Sequence, residues 1–188
     1  MLKIKEGDWS GIYFTSDLHL AHKNIIEYDG RPFKTIEEHD KSLIDNINKV
    51  CESTSLLFVL GDLSMCKDMT YIDKLLDQVQ CTMVLIKGNH DKHLKQAFLN
   101  KHFIEVHDYL EVKTSANKFI LSHFPFYSWD GNHRGSIHLH GHTHKMCPEL
   151  NGKHFNVGVC NSDTYSPYSL NDILTITSKQ TLGDYRHG

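Results

Sequence analysis

Short apolar runs that end in glycine or in polar side chains are the feature of this sequence that most constrains its fold. Seven runs of strand length occur, at residues 11–15, 56–60, 83–86, 118–121, 137–139, 155–159 and 173–176. Most are rich in β-branched or aromatic residues and end in Gly, Asp, Asn or His, which predicts buried strands that lead into loops. We therefore expect a chain built around β-sheet, with polar residues at the strand ends.

Two helical patterns separate the first three runs. Thr35 is followed three residues later by Glu38, which is a capping-box pattern, and apolar residues then recur at helical spacing up to Val50. The segment from Met69 to Val79 shows similar spacing. Alternating strands and helices are typical of α/β units with a largely parallel sheet, and the close succession of later runs favours a second, more antiparallel sheet.

Length and charge narrow the classes of protein that fit this chain. A chain of 188 residues is long enough for one well-buried core, so we expect a single domain over residues 1–188. The formal net charge of -3 lacks the basic excess of proteins that bind long nucleic acid. Long nucleic acid is therefore disfavoured as a partner, whereas short nucleotides stay open.

Cysteine usage and hydropathy bear on the compartment. The five cysteines are odd in number, widely spaced and without a C-x-x-C pair: Cys51, Cys66, Cys81, Cys147 and Cys160. This pattern favours neither a disulfide framework nor a structural zinc site. No apolar run approaches the ~20 residues of a membrane span. We therefore expect reduced thiols in a cytoplasmic protein without a membrane segment.

Five of the runs lead into side chains of the types that bind metal ions. They are followed by Ser16-Asp17-Leu18-His19, Gly61-Asp62, Gly88-Asn89-His90-Asp91, Ser122-His123 and His140-Gly141-His142-Thr143-His144. Ligand sites of open α/β sheets form outside the carboxyl ends of the strands, so five such ends can converge on one cleft. One Asp-x-His or Gly-Asp alone is better explained by capping or hydrogen bonding. Five together predict a metal site.

These motifs, in this order, resemble those of the calcineurin-like metallophosphoesterases from residue 17 to residue 144, and more loosely to the C-terminal strands. The resemblance implies an α/β fold in which two mixed β-sheets pack together as a four-layer α-β-β-α sandwich. It also implies two sets of metal ligands. These are Asp17, His19, Asp62 and His144 for one ion, and Asp62, Asn89, His123 and His142 for the other, with Asp62 bridging.

The resemblance assigns a catalytic role to one further histidine. His90 corresponds to a histidine near the leaving group, so we predict that it acts as general acid or transition-state donor. The alternative is that His90 orients a metal ligand. Two roles stay open for Asp91: it orients His90, or it caps the helix that begins there. The remaining histidines, among them His140 and His187, are expected to be structural or exposed.

The segment after the first motif resembles that of small bacterial and phage-type stand-alone members of the family. In it, His22, Asn24 and Arg31 are predicted to contact substrate. Many phosphomonoesterases of the family carry an arginine soon after Gly-Asp, whereas here Leu63 follows Asp62. Arg31 is therefore our candidate for holding phosphate, with a solvated surface arginine as the alternative.

Together the motifs predict a dinuclear metal-dependent phosphoesterase. It would hydrolyse a phosphomonoester or phosphodiester of a small substrate, such as a nucleotide, by a metal-bound hydroxide. Mixed carboxylate and imidazole ligation suits manganese, which we favour, and also iron or zinc. Two alternatives stay open: a metal-dependent nuclease, which would need a basic groove or an added DNA-binding domain, and a non-catalytic metal-binding scaffold. The sequence does not indicate the oligomeric state.

Overall fold

The computed structural model describes residues 1–146 and 148–184, so Cys147 and His187 lie outside the described residues. The strands are β1 Leu2–Lys3, β2 Ile12–Thr15, β3 Leu56–Val59, β4 Thr82–Ile86, β5 Glu105–His107, β6 Tyr109–Lys113, β7 Lys118–Ser122, β8 Ile137–His140, β9 His154–Asn156 and β10 Tyr168–Ser169. The helices are α1 Ile25–Tyr28, α2 Ile36–Val50, α3 Met69–Leu76, α4 Gln96–His102 and α5 Leu170–Thr177. Short 3₁₀ turns lie at Asn89–His93, Asn132–Arg134 and Val159–Asn161.

The strands form two mixed sheets of five strands each. One has the order β10-β2-β3-β4-β5, in which only β10 runs antiparallel to its neighbour. The other has the order β1-β6-β7-β8-β9, in which β6 and β7 are the antiparallel pair. The prediction of an α/β fold with two mixed sheets is confirmed. The second sheet is, however, no more antiparallel than the first, because a crossover segment rather than a hairpin joins β7 to β8.

A central apolar layer lies between the two sheets. Phe14 and Phe58, on neighbouring strands of one sheet, stack with ring centroids 5.4 Å apart. The ring of Phe119, from the other sheet, lies 5.9 Å from that of Phe14. All three side chains are buried. Aromatic rings of this size contribute much of the burial energy in such a layer, so these contacts hold the two sheets face to face.

Three helices cover the other face of the sheet that contains β2, β3 and β4. The side chain of Thr35 accepts a hydrogen bond from the backbone N–H of Glu38, so α2 begins where the capping pattern predicted. Leu43, from α2, and Ile72, from α3, lie in one buried cluster with strand residues such as Leu57. The two predicted helices are thus confirmed, and their apolar faces form a second core.

The predicted strand at residues 173–176 is wrong, because this segment belongs to helix α5. The side chains of Ser169 and Asp172 form a capping box at the start of that helix. A short apolar run alone does not distinguish a strand from a buried helical turn. Helix α5 packs against β2, β9 and β10, and so contacts strands of both sheets.

The two sheets meet at the end where the metal-ligand motifs lie. The backbone N–H of Ser16, just beyond β2, donates to the carbonyl of Val157 at 3.1 Å, and that of Val159 donates to Ser16 at 2.9 Å. Loops that follow strands of separate sheets are thereby brought side by side. None of the helices in residues 1–146 and 148–184 has the length and apolar character of a membrane span.

We predict that Phe119→Ala lowers the free energy of unfolding by about 3–5 kcal/mol, because it leaves a cavity between the sheets. Urea denaturation followed by circular dichroism measures the change. Ile104→Ala is the matched control, because Ile104 is 60% exposed and its truncation should cost no more than about 0.5 kcal/mol. Equal losses for the two variants would contradict the central position of Phe119.

Candidate metal centre

Loops from both sheets bring their polar side chains to one place. The donor atoms form two groups, within each of which all atoms lie within 4.8 Å of one another. The first ligand group consists of Asp17, His19 and His144, and the second ligand group consists of Asp62, His123 and His142. Each group therefore combines one carboxylate with two imidazoles contributed by loops far apart in sequence.

The carboxylate of Asp62 lies between the two groups. Its Oδ2 is 3.4 Å from Nε2 of His123, which belongs to the second ligand group. The same oxygen is 3.8 Å from Nε2 of His19, which belongs to the first. Oδ2 of Asp62 thus lies close to one imidazole of each ligand group. A carboxylate that bridges two cations would need this position.

His123 and Asn89 face Asp62 with defined atoms. Nδ1 of His123 lies 2.8 Å from the carbonyl oxygen of Leu60, to which a protonated Nδ1 donates. In a neutral ring this contact leaves the lone pair on Nε2, which lies 3.1 Å from Oδ1 of Asn89. The contact with the carbonyl of Leu60 therefore turns Nε2 of His123 toward the second ligand group.

Backbone strain is concentrated in the two ligand groups. Seven non-glycine residues have a positive φ in the part of the chain that the structure describes, and five of them are Asp17, His19, Asp62, His142 and His144. Residues with a side chain rarely adopt this region, at a cost of about 1–3 kcal/mol each. Such conformations persist where surrounding contacts impose them, and they cluster at functional sites.

The loops after β3 and β4 approach each other closely. A Cβ atom on Gly88 would lie 2.2 Å from Oδ1 of Asp62, so only glycine fits there. The buried carboxylate of Asp91 accepts hydrogen bonds from the backbone N–H groups of Asp62, Leu63 and Gly88 at 2.8–2.9 Å. Asp91 lies within the 3₁₀ turn Asn89–His93 and caps its start through the backbone N–H of Gly88, in keeping with one of its two predicted roles, and it also ties that turn to Asp62.

Burial sets the protonation of the site. It lowers the pKa of His19 to about 3, so this ring is neutral at neutral pH. Burial opposes ionisation of Asp62, but the nearby imidazole of His123 and the hydrogen bond from the backbone N–H of His90 outweigh it and bring the pKa of Asp62 to about 2. Burial also raises the pKa of Asp17, whose Oδ2 accepts from Oγ of Ser16 at 2.7 Å. The site thus places a neutral His19 beside Asp62, whereas the hydrogen bond with Asp29 raises the pKa of His144 to about 10.

These side chains fit a divalent cation. The side chain of His19 is 3% exposed, yet neither of its ring nitrogens has a hydrogen-bond partner among the described residues. A buried polar group without a partner is costly, whereas a neutral imidazole is a good ligand for Mn, Fe and Zn. The unpaired nitrogens of His19 lie beside the carboxylate of Asp62, which supplies the charge that such an ion requires.

A further cluster of ligand-type residues does not suit a cation. Asp73, Asp77 and His102 lie together on α3 and α4. The ammonium group of Lys101 contacts the carboxylates of both Asp73 and Asp77 at 2.7 Å. The negative charge of this cluster is therefore already compensated by a lysine.

Arg31 lies behind the first ligand group instead of at the surface. Its side chain is buried, so the alternative of a solvated surface arginine is wrong. Its guanidinium makes five hydrogen-bond contacts of 2.8–3.1 Å with four acceptor atoms: two with Oδ2 of Asp29 and one each with the carbonyl oxygens of Asp17 and Leu18 and with Nε2 of His39. A phosphate could contact the guanidinium only if one of these hydrogen bonds broke. The structure therefore does not support the predicted phosphate contact.

Of the other predicted residues, His22 and His90 lie beside His19 of the first ligand group. The ring of His22 is 5.9 Å from that of His19 and half-buried. Asn24 is exposed, and its Nδ2 lies 3.5 Å from Oη of Tyr28. The ring of His90 is 5.7 Å from that of His19, and its Nε2 is 3.9 Å from Oδ2 of Asp62.

Two residues of the site were not predicted from the sequence. Phe124 is 46% exposed, and its ring lies 4.6 Å from that of His142. Asp29 accepts a hydrogen bond from Nδ1 of His144 at 2.8 Å. Phe124 directly follows a ligand motif, which is a signal that the sequence offered. Asp29 is 115 residues from His144, and no local pattern marks that contact.

Comparison with solved structures identifies the fold. The protein of unknown function AQ665 from Aquifex aeolicus superposes with a TM-score of 0.72, over 88% of this chain and 98% of that chain, at 23% identity. A structure described as a novel archaeal phosphodiesterase superposes with a TM-score of 0.50, over 81% and 87%, at 18% identity. The class defined by this architecture is therefore an α/β protein with two mixed sheets that shares the fold of these two structures.

Sequence comparison identifies the family. The uncharacterised protein MJ1445 of Methanocaldococcus jannaschii is 35% identical over 174 residues, which cover 89% of this chain and 92% of the archaeal protein. The chain belongs to the family of MJ1445. No protein-family model matches it.

We predict that Asp91→Asn lowers the free energy of unfolding by about 3 kcal/mol, because the amide keeps only one acceptor for three buried N–H groups. Urea denaturation measures the loss. Asp172→Asn is the matched control, because its carboxylate also accepts from a backbone N–H, at 2.9 Å, but lies exposed at the start of α5. There the loss should be about 1 kcal/mol or less. Similar values for both variants would argue against Asp91 as the tie between the two loops.

Proposed function

We propose that this protein is a metal-dependent phosphoesterase that hydrolyses a phosphomonoester or phosphodiester of a small substrate, such as a nucleotide. The observation that carries the proposal is the position of the Asp62 carboxylate, within 3.4 Å of His123 and 3.8 Å of His19, between two groups of ligand side chains. The shared fold with an archaeal phosphodiesterase supports the same reaction class.

The proposed ligand sets extend the two groups. Asp17, His19, Asp62 and His144 would hold one ion, and Asp62, Asn89, His123 and His142 the other. Each set offers both oxygen and imidazole nitrogen, which suits manganese best in our proposal and iron or zinc as alternatives. Two such ions supply Lewis-acid stabilisation of phosphoryl oxygens and lower the pKa of water. The protein would hold the ligand side chains close to both ions and keep other hydrogen-bond partners away from them.

His90 is the proposed general acid. Its backbone N–H donates to Oδ1 of Asp62 at 3.0 Å, which fixes the main chain beside the centre. Its side chain is 37% exposed, so the ring can reach a substrate from the solvent side. Within the proposal, His90 donates a proton or a strong hydrogen bond to the oxygen that leaves phosphorus.

The orientation of His90 depends on its own backbone more than on a carboxylate partner. Its carbonyl oxygen lies 2.9 Å from Nδ1 of His93, within the 3₁₀ turn Asn89–His93. Asp91, which follows His90 directly, gives its carboxylate to three backbone N–H groups instead of to the ring. The ring of His90 is thus not held by the carboxylate of Asp91.

The proposal predicts that wild-type protein binds two Mn²⁺ ions per chain and hydrolyses a chromogenic phosphodiester, with activity that EDTA removes and Mn²⁺ restores. Asp62→Asn should bind fewer ions and lose activity, because the charge shared by two cations is gone. Its far-ultraviolet circular dichroism should stay unchanged. Asp45→Asn is the control, because Asp45 is an exposed residue that pairs with Lys41. Metal content and rate are measured on the same samples.

Three outcomes would contradict the proposal in different ways. Two bound ions without hydrolysis of any phosphate ester would indicate a metal-binding scaffold. Activity confined to oligonucleotides, with steep loss between low and physiological salt, would indicate a nuclease, because contacts to many phosphates release many counterions. Asp62→Asn with two ions and a normal rate would remove the bridging assignment.

A second prediction isolates His90. His90→Asn should keep both ions and lose ~10²–10⁴-fold in rate on alkyl or sugar phosphate esters, whose leaving groups need a proton. The loss on a nitrophenyl ester should be much smaller, because that leaving group departs unprotonated. Rates at saturating Mn²⁺ are compared for the two substrates, with His133→Asn in an exposed turn as control. Equal losses that excess metal restores would show that His90 only orients a ligand.

A further inference from the structure

A carboxylate contacts the imidazole of His144 at the nitrogen that points away from the first ligand group. Its Nδ1 lies 2.8 Å from Oδ2 of Asp29, and its Nε2 lies 4.0 Å from Oδ1 of Asp17. When Nδ1 donates its proton to Asp29, the lone pair of the neutral ring is on Nε2. The contact with Asp29 therefore selects the tautomer that points a free nitrogen into the first ligand group.

Asp29 in turn is fixed by Arg31. The same carboxylate oxygen, Oδ2, accepts from Nε and Nη2 of Arg31 at 3.1 and 2.9 Å. The side chains of Arg31 and Asp29 are almost fully buried. A buried guanidinium with both Nε and a terminal nitrogen on one oxygen leaves Asp29 little freedom to rotate.

Arg31 also reaches the other end of the first ligand group. Nη2 donates to the carbonyl oxygen of Asp17 at 2.9 Å, and Nη1 donates to that of Leu18 at 3.0 Å. These carbonyls belong to the strained segment in which Asp17 has a φ of 56° and His19 a φ of 50°. One buried side chain thus holds both the strained backbone that carries Asp17 and His19, and the carboxylate that orients His144.

We infer that Asp29 and Arg31 are positioning residues that set the affinity of the first ligand group for its metal ion. The inference rests on the proposed function, because it needs an ion between Asp17, His19 and His144. It assigns to Arg31 a role in metal binding instead of phosphate binding. A carboxylate behind a ligating imidazole fixes the ring and raises its basicity, and its loss typically weakens metal binding about 10–100-fold.

The second ligand group does not share this support. His123 is oriented by the carbonyl oxygen of Leu60, at 2.8 Å. Asp62 is held through its backbone N–H by Asp91, at 2.9 Å. A change at Asp29 should therefore weaken one ion and spare the other, which general damage to the fold would not do.

The three residues Asp29, His144 and Cys160 are not themselves a metal site. Their ligand-type atoms lie within 4.8 Å of one another. Arg31, however, already places a positive charge 2.9 Å from Oδ2 of Asp29, which repels a cation at that position. Asp29 therefore orients His144 for the first ligand group instead of binding an ion of its own.

The test measures Mn²⁺ binding without substrate, by electron paramagnetic resonance of the free ion, for wild type, Asp29→Asn and Asp29→Ala. Asparagine keeps an acceptor for Nδ1 but loses the charge, whereas alanine loses both. We expect one of the two ions to bind about 10-fold more weakly in Asp29→Asn and about 100-fold more weakly in Asp29→Ala. The second ion should keep its wild-type affinity.

Asp73→Asn is the matched control. Oδ1 of Asp73 lies 2.7 Å from Nε2 of His102, and its other oxygen pairs with Lys101, so it reproduces an Asp–His contact with a nearby cation. This contact lies on α3 and α4 and includes no proposed ligand, so both ions should bind Asp73→Asn as they bind wild type. Thermal unfolding of each variant without metal shows whether the fold is intact.

Arg31→Lys separates the two roles considered for Arg31. A lysine keeps the charge but cannot engage Asp29, Asp17 and Leu18 together. If Arg31 positions ligands, this variant should lose affinity for one Mn²⁺ ion, with an unchanged KM for a phosphodiester at saturating metal. If Arg31 holds phosphate, KM should rise and both ions should bind normally, which would overturn the inference.

The remaining outcomes are also decisive. Two ions bound with wild-type affinity by Asp29→Ala would overturn the inference and leave the proposed function standing. Equal weakening of both ions, together with a lowered unfolding temperature, would reduce Asp29 to a residue of general stability. Wild-type protein that binds no second ion would instead contradict the proposed function, before any variant is compared.

Discussion

The burial of two carboxylates at one end of the sheets is the constraint on which the rest of the structure depends. Asp17 and Asp62 are both almost inaccessible to solvent, and buried charge is costly unless it is paired or bound to metal. Hydrogen bonds from the backbone of His142 to Asp17 and from that of His90 to Asp62 compensate in part. The strained backbone at both aspartates shows that the fold accepts a further cost to keep them there.

The two sides of the site solve this problem by different means. Around Asp62, the carboxylate of Asp91 accepts from backbone N–H groups, and the carbonyl of Leu60 orients His123. Both supports on this side are therefore hydrogen bonds that involve the peptide backbone. Around Asp17, a buried ion pair of Arg31 and Asp29 does the same work. Support of the first ligand group, around Asp17, therefore depends on charge, whereas support of the second ligand group, around Asp62, depends on loop geometry. We therefore expect the two groups to respond differently to substitution.

The sequence predicted best what local patterns determine. Helix α2 begins at its capping residue, Thr35, and the ligand motifs follow their strands as expected, because both depend on neighbouring residues. The run at residues 173–176 was misread, since a few apolar residues fit either a strand or a helix that packs on two sheets. Arg31 was not predicted to be buried, for a different reason. Its burial arises from acceptors on separate loops, and its partner Asp29 meets His144 across 115 residues of sequence.

The pairing of Arg31 with Asp29 also explains how charged side chains can lie so close to the first ligand group without setting its net charge. A lone aspartate there would add negative charge and strengthen cation binding indiscriminately, whereas a lone arginine would repel the ion. As a pair they add little net charge, while the hydrogen bond between His144 and Asp29 still orients the imidazole and raises its basicity. A buried ion pair is a poor device for stability, because its desolvation offsets much of its attraction. Its value in this fold lies in orientation, since the guanidinium fixes Asp29 and the backbone of Asp17 relative to each other.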